Sequence, residues 1–259
     1  MMTEREAVLY QMMGAFYKAG LPLVFKGALV VKAIMSERGF NLLERETHDI
    51  DANWVSNPPA MDTLVSAINQ VLHDEMSSFK VASIQDYTEM QSACLGVTDT
   101  ETNVRYATID IKVKPGTKHA VYCVNDVKFE GVMVNEILAD KISVLSGNKI
   151  FRRAKDFIDV YALSHCVEIK VSDIIDTCGK EGRTLSPFSE FLNRKTELEH
   201  AYNRLQRIRG KPTFEEIYSY MASFLRAFIE RSSEDLVWNS RDHAWAKGDR
   251  HPKKRAADR

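Results

Sequence analysis

Asp49 and Asp51 stand two residues apart in the segment Arg45-Glu46-Thr47-His48-Asp49-Ile50-Asp51. Successive side chains of an extended strand alternate between faces, so these two carboxylates share one face and Ile50 points the other way, toward the core. Like charges this close repel, and a shared cation or proton relieves them. Mg²⁺ (or Mn²⁺) is the natural cation, a hard ion that takes carboxylate oxygens together with substrate phosphates. Upstream lies Lys26-Gly27-Ala28-Leu29. The apolar run Leu23, Val24 and Phe25 suits a strand that stops at Gly27. Helical spacing then passes through Leu29, Val30, Ala33 and Ile34 and ends near Gly39. Glycine lets a phosphate approach the backbone, and the following helix offers that anion its N-terminus. The unit is a strand, a glycine turn, a helix and a metal-binding strand.

More charged residues follow at spacings that bring them toward such a unit. In the strand Asn103–Val113, Thr108, Asp110 and Lys112 share one face, while Ile109, Ile111 and Val113 share the other. Asp110 is therefore a third carboxylate able to join Asp49 and Asp51. Leu138, Ile142 and Leu145 make a helical apolar stripe with Lys141 on its border, where a lysine buries its stem and presents its ammonium to a cleft. Asp156 and Asp159, three apart, lie on one flank of the next helix, preceded by Arg152, Arg153 and Lys155. Lys141 with Arg152 or Arg153 is the basic group best placed, on ordered helices, to stand near the acidic strands.

The elements that must position these residues divide the chain in two. Residues Thr3–Ala19 read as a packing helix with no chemistry of its own, and Met61–Leu72 as another amphipathic helix. Strands are expected at Phe79–Tyr87, Asn103–Val113 and Tyr122–Phe129. Helices dominate from Asn135 onward, including a long charged helix over Glu190–Ile208. The turn Gly210-Lys211-Pro212 precedes a capping box, Thr213 to Glu216, that starts a helix reaching about Glu230. The expectation is an α/β (α+β) fold: residues 1–133 as a core domain with a small mixed sheet, 134–235 as a helical C-terminal domain, and 236–259 as a basic, flexible tail containing Lys253-Lys254-Arg255. Arg194, Lys195, Arg204, Arg207, Arg209 and Lys211 form a basic cluster that suits RNA phosphates or a solvated helix face paired with glutamates. His48 faces away from Asp49 and is read as structural.

Composition narrows the classes. The 259 residues are 44% hydrophobic and 27% charged, ordinary for a globular protein with a sizeable core. A formal net charge of −1 predicts no general affinity for nucleic acid or membrane, so any RNA-binding surface must be local. The four cysteines, Cys94, Cys123, Cys166 and Cys178, show no zinc spacing and read as reduced thiols. No secretory signal and no membrane-spanning apolar run is present, which predicts a cytoplasmic protein with no membrane partner.

Gly27-Ala28, a helix, and Arg45-x-Thr47-x-Asp49-x-Asp51 resemble the first motif of the polymerase-β-type nucleotidyltransferases, and more closely its AbiEii/AbiGii toxin branch. Lys141, Ile142 and Leu145, followed by Arg152 or Arg153, Lys155, Asp156, Asp159 and Val160, resemble a second motif of that branch. The likeness spans roughly Leu21 to Leu163. One departure is Ala28, where relatives carry glycine or a serine able to contact phosphate. The resemblance implies a polymerase-β-like nucleotidyltransferase core followed by a helical domain. It implies Asp49, Asp51 and Asp110 as Mg²⁺ ligands and catalytic acids. Lys141 would contact the triphosphate and Asp156 would be a late active-site acid, with Lys26, Gly27, Ala28, Arg45, Thr47, Arg152, Arg153 and Lys155 at the nucleotide. The implied reaction moves an NMP from an NTP (ATP, GTP, CTP or UTP) to an acceptor hydroxyl. The implied acceptor is tRNA or another RNA, in a toxin of a toxin–antitoxin or phage-defence system with a cognate antitoxin. Two other readings stand beside it: transfer to a small molecule or protein, and a catalytically silent nucleotide- or RNA-binding protein on the same fold.

Overall fold

The computed structural model describes residues 2–41, 43–88, 91–231 and 234–248. Helix α1 (Glu4–Lys18) opens on a capping box in which the Thr3 hydroxyl takes the Glu6 amide and Glu6 reaches back to Thr3. β1 (Leu23–Lys26) runs without a loop into α2 (Gly27–Glu37), and a two-residue strand β2 (Glu44–Arg45) leads to β3 (Asp49–Trp54). After α3 (Met61–Glu75) come five strands: β4 (Phe79–Gln85), β5 (Ser92–Asp99), β6 (Arg105–Val113), β7 (His119–Val124) and β8 (Val127–Val132).

Seven of these strands form one mixed sheet in the order β4-β5-β6-β3-β1-β8-β7. β3 pairs parallel with β6 and antiparallel with β1, so the strand carrying Asp49 and Asp51 sits in the middle. The sheet is larger than expected for two reasons. Ser92–Asp99 is a strand that the sequence reading passed over. The stretch expected as one strand, Tyr122–Phe129, is folded at Asn125-Asp126 into the hairpin β7–β8. Both turn residues take positive φ, 47° and 65°, which suits the tight hairpin turn. Phe25 of β1 and Phe129 of β8 meet edge to face at 6.1 Å, with Tyr10 of α1 5.7 Å from Phe129. These fully or nearly fully buried rings pin α1 to the sheet. Burial of side chains this size stabilises by about 1.5–3 kcal/mol each.

The rest of the chain is mainly helical. α4 (Val134–Ser146) is followed by a short 3-10 turn at Ile150–Arg152 and then α5 (Ala154–Ser164). β9 (Ile169–Lys170) leads into α6 (Val171–Lys180). The expected long helix over Glu190–Ile208 is instead two helices, α7 (Ser189–Asn193) and α8 (Lys195–Arg204), broken at Arg194. Its last residues belong to β10 (Ile208–Arg209), which pairs antiparallel with β2 and straps the two halves of the chain together. α9 (Phe214–Ile229) starts at the expected Thr213–Glu216 capping box.

The segment expected as a flexible tail begins with β11 (Leu236–Asn239) and β12 (Ala244–Lys247), a hairpin that pairs with β9. Two tryptophans account for this order. Trp238 is fully buried and its indole donates to the Ser164 carbonyl at 2.8 Å, while the Trp245 indole donates to the Phe224 carbonyl at 2.9 Å. Residues 249–259, with Lys253-Lys254-Arg255, lie outside the described residues. Among the described residues, no helix is long and apolar enough to cross a membrane.

Candidate active site

The strands β1, β3, β6 and β5 lie side by side, and one row across them is polar. Lys26 is opposite Asp51, Asp51 opposite Asp110, and Asp110 opposite Cys94. One row along, Asp49 is opposite Thr108, whose hydroxyl donates to Asp49 Oδ1 at 2.8 Å. Paired residues share a face, and so do residues two apart on a strand. The sheet therefore presents Asp49, Asp51 and Asp110 together, while Ile50, Ile109 and Ile111 are buried on its reverse. Asp49 and Asp110 are exposed, and Asp51 is half-buried.

Gly27 is required twice over. Its φ is +73°, a conformation only glycine adopts without strain. A Cβ there would fall 2.1 Å from Asp51 Oδ2. The glycine that the sequence assigns to phosphate access thus also makes room for the central carboxylate.

Electrostatics single out Asp51. Burial raises its pKa above the ordinary carboxylate range. Asp110 and Asp49 push the same way, against the pull of Lys26 and Lys141. Lys26 is lowered, first by burial and then by Lys112, Lys114 and Arg183, with Asp51 opposing. Beside Asp110, the Cys94 thiol is pushed up to about 11 by burial and by its hydrogen bond to Asp110. Among the described residues, no group of three or more His, Cys, Asp or Glu side chains is placed to hold a metal ion by itself. What is present is a row of carboxylate oxygens on one sheet face, hard ligands that a divalent cation would supplement with substrate and water oxygens.

The wall made by the helical half is organised differently. Lys141 on α4 is buried, and its ammonium donates to Asp156 Oδ1 at 2.9 Å and Asp159 Oδ2 at 2.8 Å. Arg45 of β2 reaches the same Asp159 carboxylate at 3.2 Å. Burial alone would lower Lys141 and raise Asp159, but their mutual attraction, with Asp156 and Arg45, outweighs it. Lys141 is held above its ordinary value and Asp159 below. Lys141 thus gives two of its three N–H donors to carboxylates, and Arg45 is paired with Asp159. Arg153 approaches Asp156 at 3.7 Å, and Arg152 and Lys155 are exposed. Ala28 lies in the first turn of α2.

Thr47 is buried, and its amide donates to Glu6 Oε1 at 3.1 Å. Glu6 is fully buried and also accepts from Lys32 and from the Thr3 amide. Helix α1, expected to be packing alone, therefore anchors the lead-in to Asp49. His48 is held between Arg5 (2.6 Å) and Arg207 (3.1 Å), which joins α1 to the strap next to Asp49. A cavity of about 650 Å³, lined by Tyr10, Lys32, Phe40 and Arg209 among others, lies beside α2 and includes none of the three strand acids.

The mixed sheet carries the three acids on its adjacent central strands, beside a strand–glycine–helix turn. The chain belongs to the AbiEii family, described as "Nucleotidyl transferase AbiEii toxin, Type IV TA system", whose sequence profile matches residues 11–220. It is accordingly a nucleotidyltransferase toxin of the type IV class. No curated protein matches it by sequence. Among solved structures, it is similar to MenT4, a nucleotidyltransferase toxin from Mycobacterium tuberculosis H37Rv. That match has a TM-score of 0.54 and 13% identity, covering 88% of this chain and 85% of that one. At that identity the likeness speaks for the fold. A further match is an antigenic nucleotidyltransferase-like protein from Paracoccidioides brasiliensis, with a TM-score of 0.43 and 12% identity over 77% of this chain and 92% of that one.

Proposed function

We propose that the protein transfers a nucleoside monophosphate from an NTP to a hydroxyl of tRNA, with Mg²⁺ or Mn²⁺ held by Asp49 and Asp51 and with Asp110 completing the acid face. The observation that carries this reading is the in-register row Lys26–Asp51–Asp110, with Asp49 one row along on the same face. When bound, the ion supplies positive charge to the reacting phosphate and acidity to the acceptor hydroxyl. Gly27 and Ala28 open α2 and offer unpaired backbone amides to the β- and γ-phosphates. Lys26 and Arg152 or Arg153 add cationic charge as pyrophosphate leaves. Asp110, exposed beside Asp51, takes the proton of the acceptor hydroxyl. Lys141, fixed by Asp156 and Asp159, keeps a positive charge facing Asp51 without being free to wander. Arg45 and Thr47 act through position, by fixing the lead-in to β3. The protein works in the cytoplasm, and a cognate antitoxin is its genetic partner.

The test is transfer of label. Purified protein is incubated with Mg²⁺ and each α-labelled NTP in turn, with tRNA, total protein or candidate small molecules as acceptors. Label enters tRNA, disappears with Asp49→Ala and is lost on chelation. Label in protein or a small molecule instead would replace tRNA as the acceptor. Nucleotide binding with no transfer to any acceptor would refute the assignment of activity to this chain.

A further inference from the structure

The basic residues of the helical half differ in whether anything neutralises them. Arg194 is paired with Glu190 and Glu197, Lys195 with Glu215, and Arg226 with Glu230. The run that enters α5 is different. Lys149, Arg152 and Lys155 are exposed, and among the described residues none of their side chains has a carboxylate partner, while Glu190 accepts the Lys149 and Ile150 backbone amides. Arg153 has only the long approach to Asp156, and its buried Nε has no hydrogen-bond partner. In the middle of this run the Phe151 ring is 37% exposed. Two guanidiniums flank it, Arg152 at 5.7 Å and Arg194 at 5.6 Å from its centre. The run is linked to Lys141 by a chain of contacts: Arg153 meets Asp156, and Asp156 holds Lys141.

We propose that Phe151, flanked by Arg152 and Arg194, is a platform on which an unpaired base of the RNA acceptor stacks, with Lys149 and Lys155 holding the adjoining phosphates. This rests on the reading that the acceptor is RNA. Every base has a π-face, and an exposed ring set among guanidiniums binds it without demanding a sequence. Only a splayed, single-stranded base presents that face, so the platform selects unpaired RNA over duplex. The uncompensated cations supply the salt-dependent part of the affinity. An acidic protein would engage the lysines but would have no need of the ring.

The experiment titrates the full chain with a fluorescently labelled single-stranded oligoribonucleotide, a blunt RNA duplex and a polyglutamate peptide. Phe151→Ala weakens single-strand binding roughly tenfold, within the range that base stacking supplies, and leaves the KM for NTP unchanged. Phe151→Trp retains affinity, and its fluorescence is quenched as the oligonucleotide binds. Replacing Lys149 and Lys155 by alanine together lowers the logarithmic salt slope by about 1.4. Unchanged single-strand affinity in Phe151→Ala overturns the platform. So does equally tight binding of the duplex or the peptide by the wild type. If the wild type labels RNA and Phe151→Ala does so with the same KM for RNA, only the platform falls. If the wild type labels no RNA, the acceptor reading falls, and the oligonucleotide titration then decides the platform alone.

Discussion

Two sets of carboxylates in this molecule have opposite surroundings. Asp49, Asp51 and Asp110 stand together on the sheet, and burial pushes Asp51 toward its protonated form, with Asp110 and Asp49 adding to it against Lys26 and Lys141. Asp156 and Asp159 sit on α5 with Lys141, Arg45 and Arg153 around them, and Asp159 is held ionised despite complete burial. The same side chain is in one place an unfinished ion site and in the other a closed joint. Under the proposed function the first set is the one that gains from a cation arriving with substrate. The second is a joint in which buried opposite charges already meet at 2.8–3.2 Å.

The comparison breaks most readily at Asp51. Asp51→Asn lowers transfer on the order of 10³-fold, the scale of a lost transition-state electrostatic contact. Thermal stability is unchanged or raised, because a buried like charge is removed. A lowered Tm in that variant would mean that Asp51 is a structural acid like Asp159. The mirror experiment is Asp159→Asn, which leaves Lys141 and Arg45 buried without their shared partner and costs about 3–5 kcal/mol in chemical denaturation. A loss below ~1 kcal/mol would show the joint to be dispensable.

Gly27→Ala acts on both sets at once. The left-handed backbone adds roughly 1–2 kcal/mol of strain. The new methyl also displaces Asp51, and a misplacement near 1 Å lowers transfer by about 10²-fold. Titration sharpens the contrast with the smallest effect. Asp159 has a folded pKa below its ordinary 3.8, so its contribution is full above pH 3.8 and disappears as pH falls through the lower folded value. Lys141 lies above 10.5, so its contribution is full below pH 10.5 and fades as pH rises through the folded value. The stability difference between wild type and Asp159→Asn is therefore flat across neutral pH and narrows in acid, as equilibrium unfolding at several pH values will register.

The strand acids were legible because strand periodicity is local. Asp49 with Asp51, and Thr108 with Asp110, need only a period of two to share a face, and β3 and β6 are regular over those residues. The Thr213 capping box was legible for the same reason. What escaped depends on partners distant in sequence. Glu6 looked like a first-turn helix acid, yet it receives the amide of Thr47, 41 positions later. Lys141 looked like a border lysine aimed at a cleft, but the acids that bind it come from another helix. The β11–β12 hairpin did carry a signal in Trp238 and Trp245. Two four-residue strands are too short for alternation to stand out from a polar, basic stretch.

The strap formed by β2 and β10 bears on how the toxin is made. Ile208 pairs with Arg45 from far along the chain, so the acid-bearing strand is synthesised long before the residue that pairs with its lead-in. A ribosome releasing a chain cut short of Ile208 would yield a sheet without its latch.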